Sequence, residues 1–431
     1  MKIERLKGFR DHYPEDMKAR NYFFGKMTDT AENFGYERID FPSLESLDLY
    51  RLKSGNELVG QTFSFVDKGG REVTMIPEAT PTTVRMLTAR KDLPRTVKWY
   101  SFPKVWRYEE PQEGRFREHY QFNADLFGID SAAADGEIIG LASSILDSIG
   151  LSGIYEINVN DRYLMEYVLK DLGIENIPEA FAIVDKYRKM DRDAFIESFK
   201  KINATESAIK KILSLLSDKL DGEELEKKVR KTVKNFDYIK PRVDRIEKTF
   251  EIIRYYTNSK INYDFSVVRG LSYYTGIVFE AFDTEGELRA ILGGGRYNGL
   301  SKLFGEEEIP AAGFAIGDAV IELLLKRQNM WFNQNQKESY YICSMDDADQ
   351  DYILKVASII RGLNKIAYVD ITERKLSAQI KSASSFAYAL IIGKNEIKKK
   401  EVTVKNMGTS EQITVGYDDF ILRVRDNSLF R

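Results

Sequence analysis

The chain has one cysteine, two histidines and no long apolar run among its 431 residues. With Cys343 alone no internal disulfide can form, and the residue is expected to be a small core side chain in a strand. Cys343, His12 and His119 are too few for a four-ligand zinc site of the Cys or Cys/His kind, so no protein-ligated metal is expected. Two histidines also count against a Ser-His-Asp or Cys-His catalytic machine. No stretch approaches the roughly 18 consecutive apolar residues of a membrane span. The opening MKIERLKGFRD lacks the apolar core of a secretory leader. A cytoplasmic protein with no membrane partner is expected. A strong charge of either sign is missing too. The 64 Lys and Arg against 67 Asp and Glu give a formal net charge of −3, so the molecule as a whole is not a basic nucleic-acid binder. Repeats and low-complexity tracts are absent.

What the chain holds is apolar material for two or three domains: 43% hydrophobic and 12% aromatic residues. Helical periodicity marks residues 15–34, started by Pro14 and ended by Gly35. A short strand closed by Pro42 follows. Residues 62–80 read as a hairpin turning at Asp67-Lys68-Gly69-Gly70. Residues 164–256 are nearly all helical, with one apolar stripe at Ile209, Ile212, Leu213, Leu216 and Leu220. Within them, residues 200–248 carry 14 Lys and Arg against 9 Asp and Glu, an excess of five. That excess is either a solvated helical face or a contact to a phosphate backbone. Strand signals return at Ile261. Residues 328–338 read as a linker, and a β-α-β-α-β alternation begins at Tyr340.

The most informative stretch is residues 106–128, WRYEEPQEGRFREHYQFNADLFG. Strand-forming residues flank a turn signal around Gly114, which predicts two antiparallel strands joined by a polar loop. Period-two alternation puts Arg117, His119, Gln121, Asn123 and Asp125 on one face. Five polar side chains in a row either face water or floor a polar cavity. Guanidinium forks at Arg107, Arg115 and Arg117 suit phosphate oxygens, so an anion site stands beside the plainer reading of a solvated hairpin.

The stretch resembles motif 2 of class II aminoacyl-tRNA synthetases in the form used by histidyl-tRNA synthetases. It has Arg107-x-Glu109, then Pro111-Gln112-x-Gly114-Arg115-x-Arg117-Glu118, then Gln121, and Asp125 before Phe127-Gly128. Other segments carry the same resemblance. Residues 15–42, a helix, a strand and Pro42, are similar to motif 1, which implies a homodimer. Pro77-Glu78-Ala79-Thr80 is similar to an Arg-Pro-Glu-Gly-Thr element. Arg269-Gly270-Leu271-Ser272-Tyr273-Tyr274 is similar to Arg-Gly-Leu-Asp-Tyr-Tyr, with Ser272 departing from the Asp. Leu292-Gly293-Gly294-Gly295-Arg296-Tyr297 is similar to the family's Gly-Gly-Arg-Tyr strand. Residues 310–326 resemble motif 3, where the family's arginine position reads Val320, and residues 339–431 resemble its anticodon-binding domain.

The resemblance implies an α+β catalytic domain built on an antiparallel sheet over residues 1–163 and 257–327. A helical domain is inserted at 164–256, a linker spans 328–338, and an α/β anticodon-binding domain occupies 339–431. It implies that ATP with Mg2+ activates L-histidine, which then passes to the 3′ end of tRNA(His). Arg107 and Arg269 would be catalytic. Arg107, Glu109, Arg115 and Arg296 would hold ATP, with Arg115 or Arg296 covering for Val320. Glu78, Thr80, Gln121, Asp125, Arg269, Tyr273 and Tyr274 would hold histidine, Asp125 and Tyr274 serving the two ring nitrogens. Two other readings share parts of this pattern. One is the regulatory subunit of ATP phosphoribosyltransferase, which lacks the C-terminal domain. The other is a tRNA-binding scaffold that has lost catalysis, suggested by Val320.

Overall fold

The structure, a computed structural model, describes residues 3–51, 59–269, 273–286, 288–332, 337–345, 350–372 and 374–430. Contacts divide the chain into two compact units, residues 1–332 and 333–431.

The first unit opens with helix α1 (Pro14–Asn33) and strands β1 (Glu37–Arg38), β2 (Leu44–Ser46), β3 (Ser64–Val66) and β4 (Glu72–Met75). Strands β2, β4 and β3 form a small antiparallel sheet. Helix α2 (Thr80–Ala89) precedes β5 (Val97–Ser101), β6 (Lys104–Trp106) and β7 (Glu118–Phe127). Helix α3 (Ala132–Ser148) and β8 (Tyr155–Asp161) follow. Six helices come next: α4 (Arg162–Asp171), α5 (Ile177–Asp185), α6 (Arg192–Lys201), α7 (Glu206–Leu216), α8 (Gly222–Thr232) and α9 (Phe236–Ile253). The chain returns through β9 (Lys260–Tyr263), β10 (Ile277–Asp283), β11 (Leu292–Arg296), β12 (Ala311–Gly317) and helix α10 (Asp318–Arg327).

These strands build a nine-stranded sheet, ordered β1-β5-β7-β12-β11-β10-β8-β9, with β6 paired to β7. Only β1–β5 and β8–β9 pair in parallel; the five pairings from β5 through β8 are antiparallel. Alternation gives the sheet two unlike faces. The back face carries Tyr100, Phe122, Ala124, Leu126, Phe279, Phe314 and Ile316, all in the main apolar core. Against it lies α3, capped by Ser131 Oγ accepting from Ala134 N at 3.2 Å. Helix α3 is apolar nearly all round because it is covered on both sides. Its Gly136 lets α9 approach: a Cβ there would lie 2.5 Å from Ile252 Cγ2.

The front face is polar along Gln121, Asn123 and Asp125 and apolar beyond them, around Trp99, Phe127 and Val278. A buried charge cluster ties down the end of β7 near Tyr120. Asp318, at the start of α10, receives Arg20 Nη2 at 2.8 Å, Arg10 Nη2 at 2.9 Å and the Tyr120 backbone N–H at 3.1 Å. Glu322 completes the cluster, receiving Arg10 Nη1 at 3.0 Å. Removing one partner from such a group strands a buried charge, so the cluster fixes α1 and α10 against β7.

The helical segment α4–α9 shares the main core of the sheet: Phe195, Ile209, Ile212, Leu225, Val243 and Phe250 are all buried in it. Of the residues expected to form a linker, Met330 and Trp331 pack on that same core, Trp331 stacked on Phe23 at 5.4 Å.

The second unit has a five-stranded sheet of its own: β13 (Ser339–Ser344), β14 (Ile366–Val369), β15 (Tyr388–Ile392), β16 (Glu401–Asn406) and β17 (Gln412–Gly416), ordered β14-β13-β15-β16-β17. Helices α11 (Gln350–Gly362), α12 (Leu376–Ser382), α13 (Lys394–Lys399) and α14 (Tyr417–Arg425) complete it. Strands β14, β13 and β15 run parallel, as the β-α-β alternation predicts. Cys343 is buried in β13. Lys398 and Lys399 end a short helix, and Lys400 closes it at φ +55.

Candidate active site

On the front face the register sets out the floor. Gln121, Asn123 and Asp125 of β7 pair with Gly317, Ala315 and Gly313 of β12. Ala315 and Gly313 in turn pair with Gly293 and Gly295 of β11. The polar row read from alternation is therefore buried: Gln121, Asn123 and Asp125 are 8%, 2% and 2% exposed. Glycines and alanines opposite them keep the space above the floor open. Gln121 Oε1, Asn123 Oδ1 and Ser101 Oγ have no hydrogen-bond partner among the described residues. Buried acceptors and hydroxyls left this way favour a ligand that can bond to them.

A hollow of about 270 Å³ opens on this face. Arg107, Glu109, Arg115, Gln121, Arg269, Glu280 and Arg289 supply its polar walls, and Gly293, Gly317 and Val320 its close ones. Arg107 is fixed by Nε donating to the Pro77 carbonyl at 2.9 Å. Arg115 grips Glu109 with two N–H groups. Burial alone would raise the Glu109 carboxyl, but Arg115, then Arg107 and Arg289, outweigh it and hold the group below the usual carboxylate range. The loop turns at Gly114, φ +70, and a Cβ there would sit 3.5 Å from Val320 Cγ2.

Arg269 enters from the segment between β9 and β10. Strand signals return at Ile261, but Arg269 lies in a loop between β9 and β10 with left-handed backbone, φ +56. Glycine, which has no Cβ, tolerates that conformation far better than arginine, and such outliers gather at functional sites. Its Nη1 donates to Glu280 Oε1 at 2.5 Å. Gly270, Leu271 and Ser272, where the resemblance departs, lie outside the described residues.

Beneath Arg269 runs an aromatic cluster. The guanidinium lies 5.8 Å from the Tyr274 ring centre. Tyr274 packs on Tyr273 at 4.7 Å and Tyr273 on Tyr297 at 5.8 Å. The Tyr297 hydroxyl donates to Asp125 Oδ1, and Tyr273 OH donates to Glu78 Oε2 at 3.3 Å. The Glu78 carbonyl accepts from Tyr50 OH at 3.3 Å, and buried Thr80 starts α2 two residues on. The arginine hollow and the acid-and-phenol pocket are thus adjoining parts of one face.

One expected site residue is not there. Arg296 points to the back of the sheet, because it follows Gly294 in the alternation and Gly294 faces Phe314 and Phe279. Its Nε donates to Asp135 Oδ1 of α3 at 2.7 Å and its Nη1 to the Ile129 carbonyl at 3.0 Å. It is a structural cation under the sheet and cannot reach a ligand in the hollow. Arg117 also turns aside, its Nε donating to the Glu109 carbonyl at 3.0 Å. Sequence reasoning missed Arg289, Glu280 and Tyr297. Period-two alternation along β10 could have found Glu280. Tyr297 closes the Gly-Gly-Arg-Tyr element, which could have marked it, and Arg289 had no signal beyond its residue type.

An antiparallel sheet with an arginine-walled hollow on one face, and this motif 2 loop over it, is the catalytic build of a class II aminoacyl-tRNA synthetase. Residues 8–319 match the family model of histidyl-tRNA synthetase, and residues 337–427 that of the anticodon binding domain. The chain is 57% identical over 423 residues to the histidine–tRNA ligase of Picrophilus torridus, covering 98% of this chain and 99% of that one. It is 48% identical over 428 residues to the corresponding ligase of Thermoplasma volcanium, covering 98% of each. The histidyl-tRNA synthetase of Nostoc sp. PCC 7120 has the same fold, with a TM-score of 0.86 at 20% identity over 99% of this chain and 100% of that one. The chain belongs to the histidyl-tRNA synthetase family. The anticodon-binding match over 337–427 removes the reason for reading it as a phosphoribosyltransferase regulatory subunit.

Proposed function

We propose that this chain activates L-histidine with ATP to histidyl-adenylate and transfers the histidyl group to the 3′ end of tRNA(His). The observation that carries the reading is the adjacency of the arginine hollow to the cluster of Asp125, Tyr273, Tyr274 and Glu78, with the Arg269 guanidinium 5.8 Å from the Tyr274 ring.

The chemistry needs alignment and positive charge. An amino acid carboxylate, of pKa about 3.5, is already an anion at pH 7, so no general base is required. A carboxylate oxygen bonds to the α-phosphorus, the bond to the β-phosphate oxygen breaks, and pyrophosphate leaves. Arg107 and Arg269 meet the α-phosphate and the carboxylate, and Arg115, steered by Glu109, meets the outer phosphates. Magnesium enters with ATP as part of the substrate. A hydroxyl of the tRNA's terminal ribose then attacks the anhydride carbonyl and AMP leaves.

Histidine is selected by paired polar groups. Asp125 accepts the ring N–H, and the bond from Tyr297 orients the carboxylate without exhausting its lone pairs. Tyr274 serves the second nitrogen. Glu78 and Thr80 accept from the ammonium group, Tyr273 steadies Glu78, and Gln121 meets the substrate backbone. Such a site rejects analogues lacking its partner groups by about 10⁴ to 10⁵. The protein would act in the cytoplasm as a homodimer. The dimer rests on the likeness of residues 15–42 to motif 1, and the compartment on the proposed charging of tRNA; none of the described helices is long and apolar enough to cross a membrane.

Histidine-dependent ATP–pyrophosphate exchange tests the reading. Wild type should exchange, and Asp125→Ala should lose it by at least a hundredfold while melting normally. Wild-type rates in that variant would sink the assignment of the imidazole pocket.

A further inference from the structure

The hollow holds more positive charge than the assigned residues account for. Its walls carry four guanidinium groups, Arg107, Arg115, Arg269 and Arg289, against two carboxylates, Glu109 and Glu280. Both carboxylates are taken: Glu109 by Arg115 and Glu280 by Arg269. Two cations are thus left in excess, and Arg289 is the one the activation chemistry has not used.

Arg289 lies just before β11, at the rim of the hollow and open to solvent on its outer side. Partial burial, then its like-charged neighbour Arg115, pull its proton affinity below the ordinary arginine value; Glu109 opposes them and Arg107 adds to them. Guanidinium groups gathered this way repel one another until an anion arrives to share them. The start of α10 explains why the cation comes from here. Val320 is 8% exposed and packs in the main core. The loop tip at Gly114 sits directly over it. An arginine on α10 would have to displace that tip to reach the hollow.

We propose that Arg289 binds the outer phosphates of ATP and supplies the positive charge that Val320 cannot. This inference rests on the reading of the hollow as the ATP site. It assigns the β- and γ-phosphates to a segment between β10 and β11, which shares the lining of the hollow with the start of α10. The pair Arg115–Glu109 and Arg289, which are neighbours, then share the polyphosphate. AMP, which has no outer phosphates, makes no contact with Arg289.

Titration calorimetry of the full-length protein with ATP–Mg2+ and separately with AMP tests the proposal. Arg289→Ala should weaken ATP binding tenfold or more and leave AMP binding within twofold of wild type. In exchange assays the same variant should raise KM for ATP and leave KM for histidine unchanged. Arg289→Lys, a point charge without the fork, should fall between the two. ATP affinity within twofold of wild type overturns the proposal. So do equal losses for ATP and AMP, which mark a structural role. A wild-type protein that binds ATP without histidine-dependent exchange would defeat the proposed function while leaving Arg289 open to the same titration.

Discussion

At His119 the imidazole is held where protonation is expensive. Its Nδ1 is sealed from solvent with no partner among the described residues. Burial first, then Arg107 and Arg10, push its pKa down to about 3, against smaller upward pulls from Glu109 and the Phe116 backbone. The unfolded chain would take up this proton near pH 6.5 and the folded one only near 3, so the unfolded state binds more protons throughout that window. Stability therefore falls as pH drops from about 6.5, by up to about 3 kcal/mol at pH 4 from this residue. His119→Phe should flatten the slope of unfolding free energy against pH between 6.5 and 4, whatever it does to the absolute value. Denaturant titrations at three pH values measure this, and an unchanged slope would refute it. The same residue shows what sequence could tell at this scale. Alternation placed His119 on the polar face, but its neutral state depends on burial first, then on Arg107 and on Arg10, the last more than a hundred positions away in the chain. Arg296 failed for a related reason. A glycine run has no side chains to declare its faces, so which way residue 296 points appears only once Gly294 is seen opposite Phe279 and Phe314.

Strand β11 separates the two jobs of the sheet residue by residue. Gly293 faces the front, where a Cβ would strike the Arg269 guanidinium, its Cζ at 2.5 Å. Gly294 faces the back, where a Cβ would meet the Gly313 carbonyl oxygen and come within 2.5 Å of Phe314 Cβ. The first clash is with the far end of a flexible side chain, the second with backbone and a packed core. Gly293→Ala should therefore fold and melt within a few degrees of wild type but lose tenfold or more of its exchange activity. Gly294→Ala should lose about 1 to 3 kcal/mol of stability through overpacking. Thermal melts alongside exchange assays separate the two, and a large stability loss in Gly293→Ala with activity retained would contradict the facing assigned here. Elements with a strong period were legible: α1, the strands either side of the Gly114 loop, and the stripe of α7, whose Ile209, Ile212 and Leu216 are buried. The segment holding Arg269 was not, because β-branched and aromatic residues look alike in a strand and in a loop packed under one.

At the scale of the whole molecule the two units have separate interiors. The core around Tyr340, Ile342, Leu390, Val402 and Phe420 draws only on residues after 332. The sheet core, the aromatic cluster and the Tyr50 cluster draw only on residues before it. Units with closed cores of this kind fold as independent domains. Where a shortened chain may end is set by packing and not by the polar composition of residues 328–338. Trp331 stacks on Phe23 with the rings 14° apart, and Met330 N–H donates to the Leu325 carbonyl at 2.7 Å, so the end of α10 is held by residues up to 331. A chain stopped after Phe332 keeps those contacts, and one stopped before Met330 strips them from the wall beside α1. The hollow and the pocket proposed for histidine draw every named residue from the first unit. The chain ending at Phe332 should therefore melt cooperatively and retain histidine-dependent exchange within about threefold of the full chain. Its charging of tRNA(His) should fall a hundredfold or more, because the anticodon-binding match lies wholly in the part removed. Charging at full-length rates would show that tRNA selection needs nothing beyond residue 332. Exchange lost from a cooperatively melting chain would show that the adenylate site depends on the second unit after all.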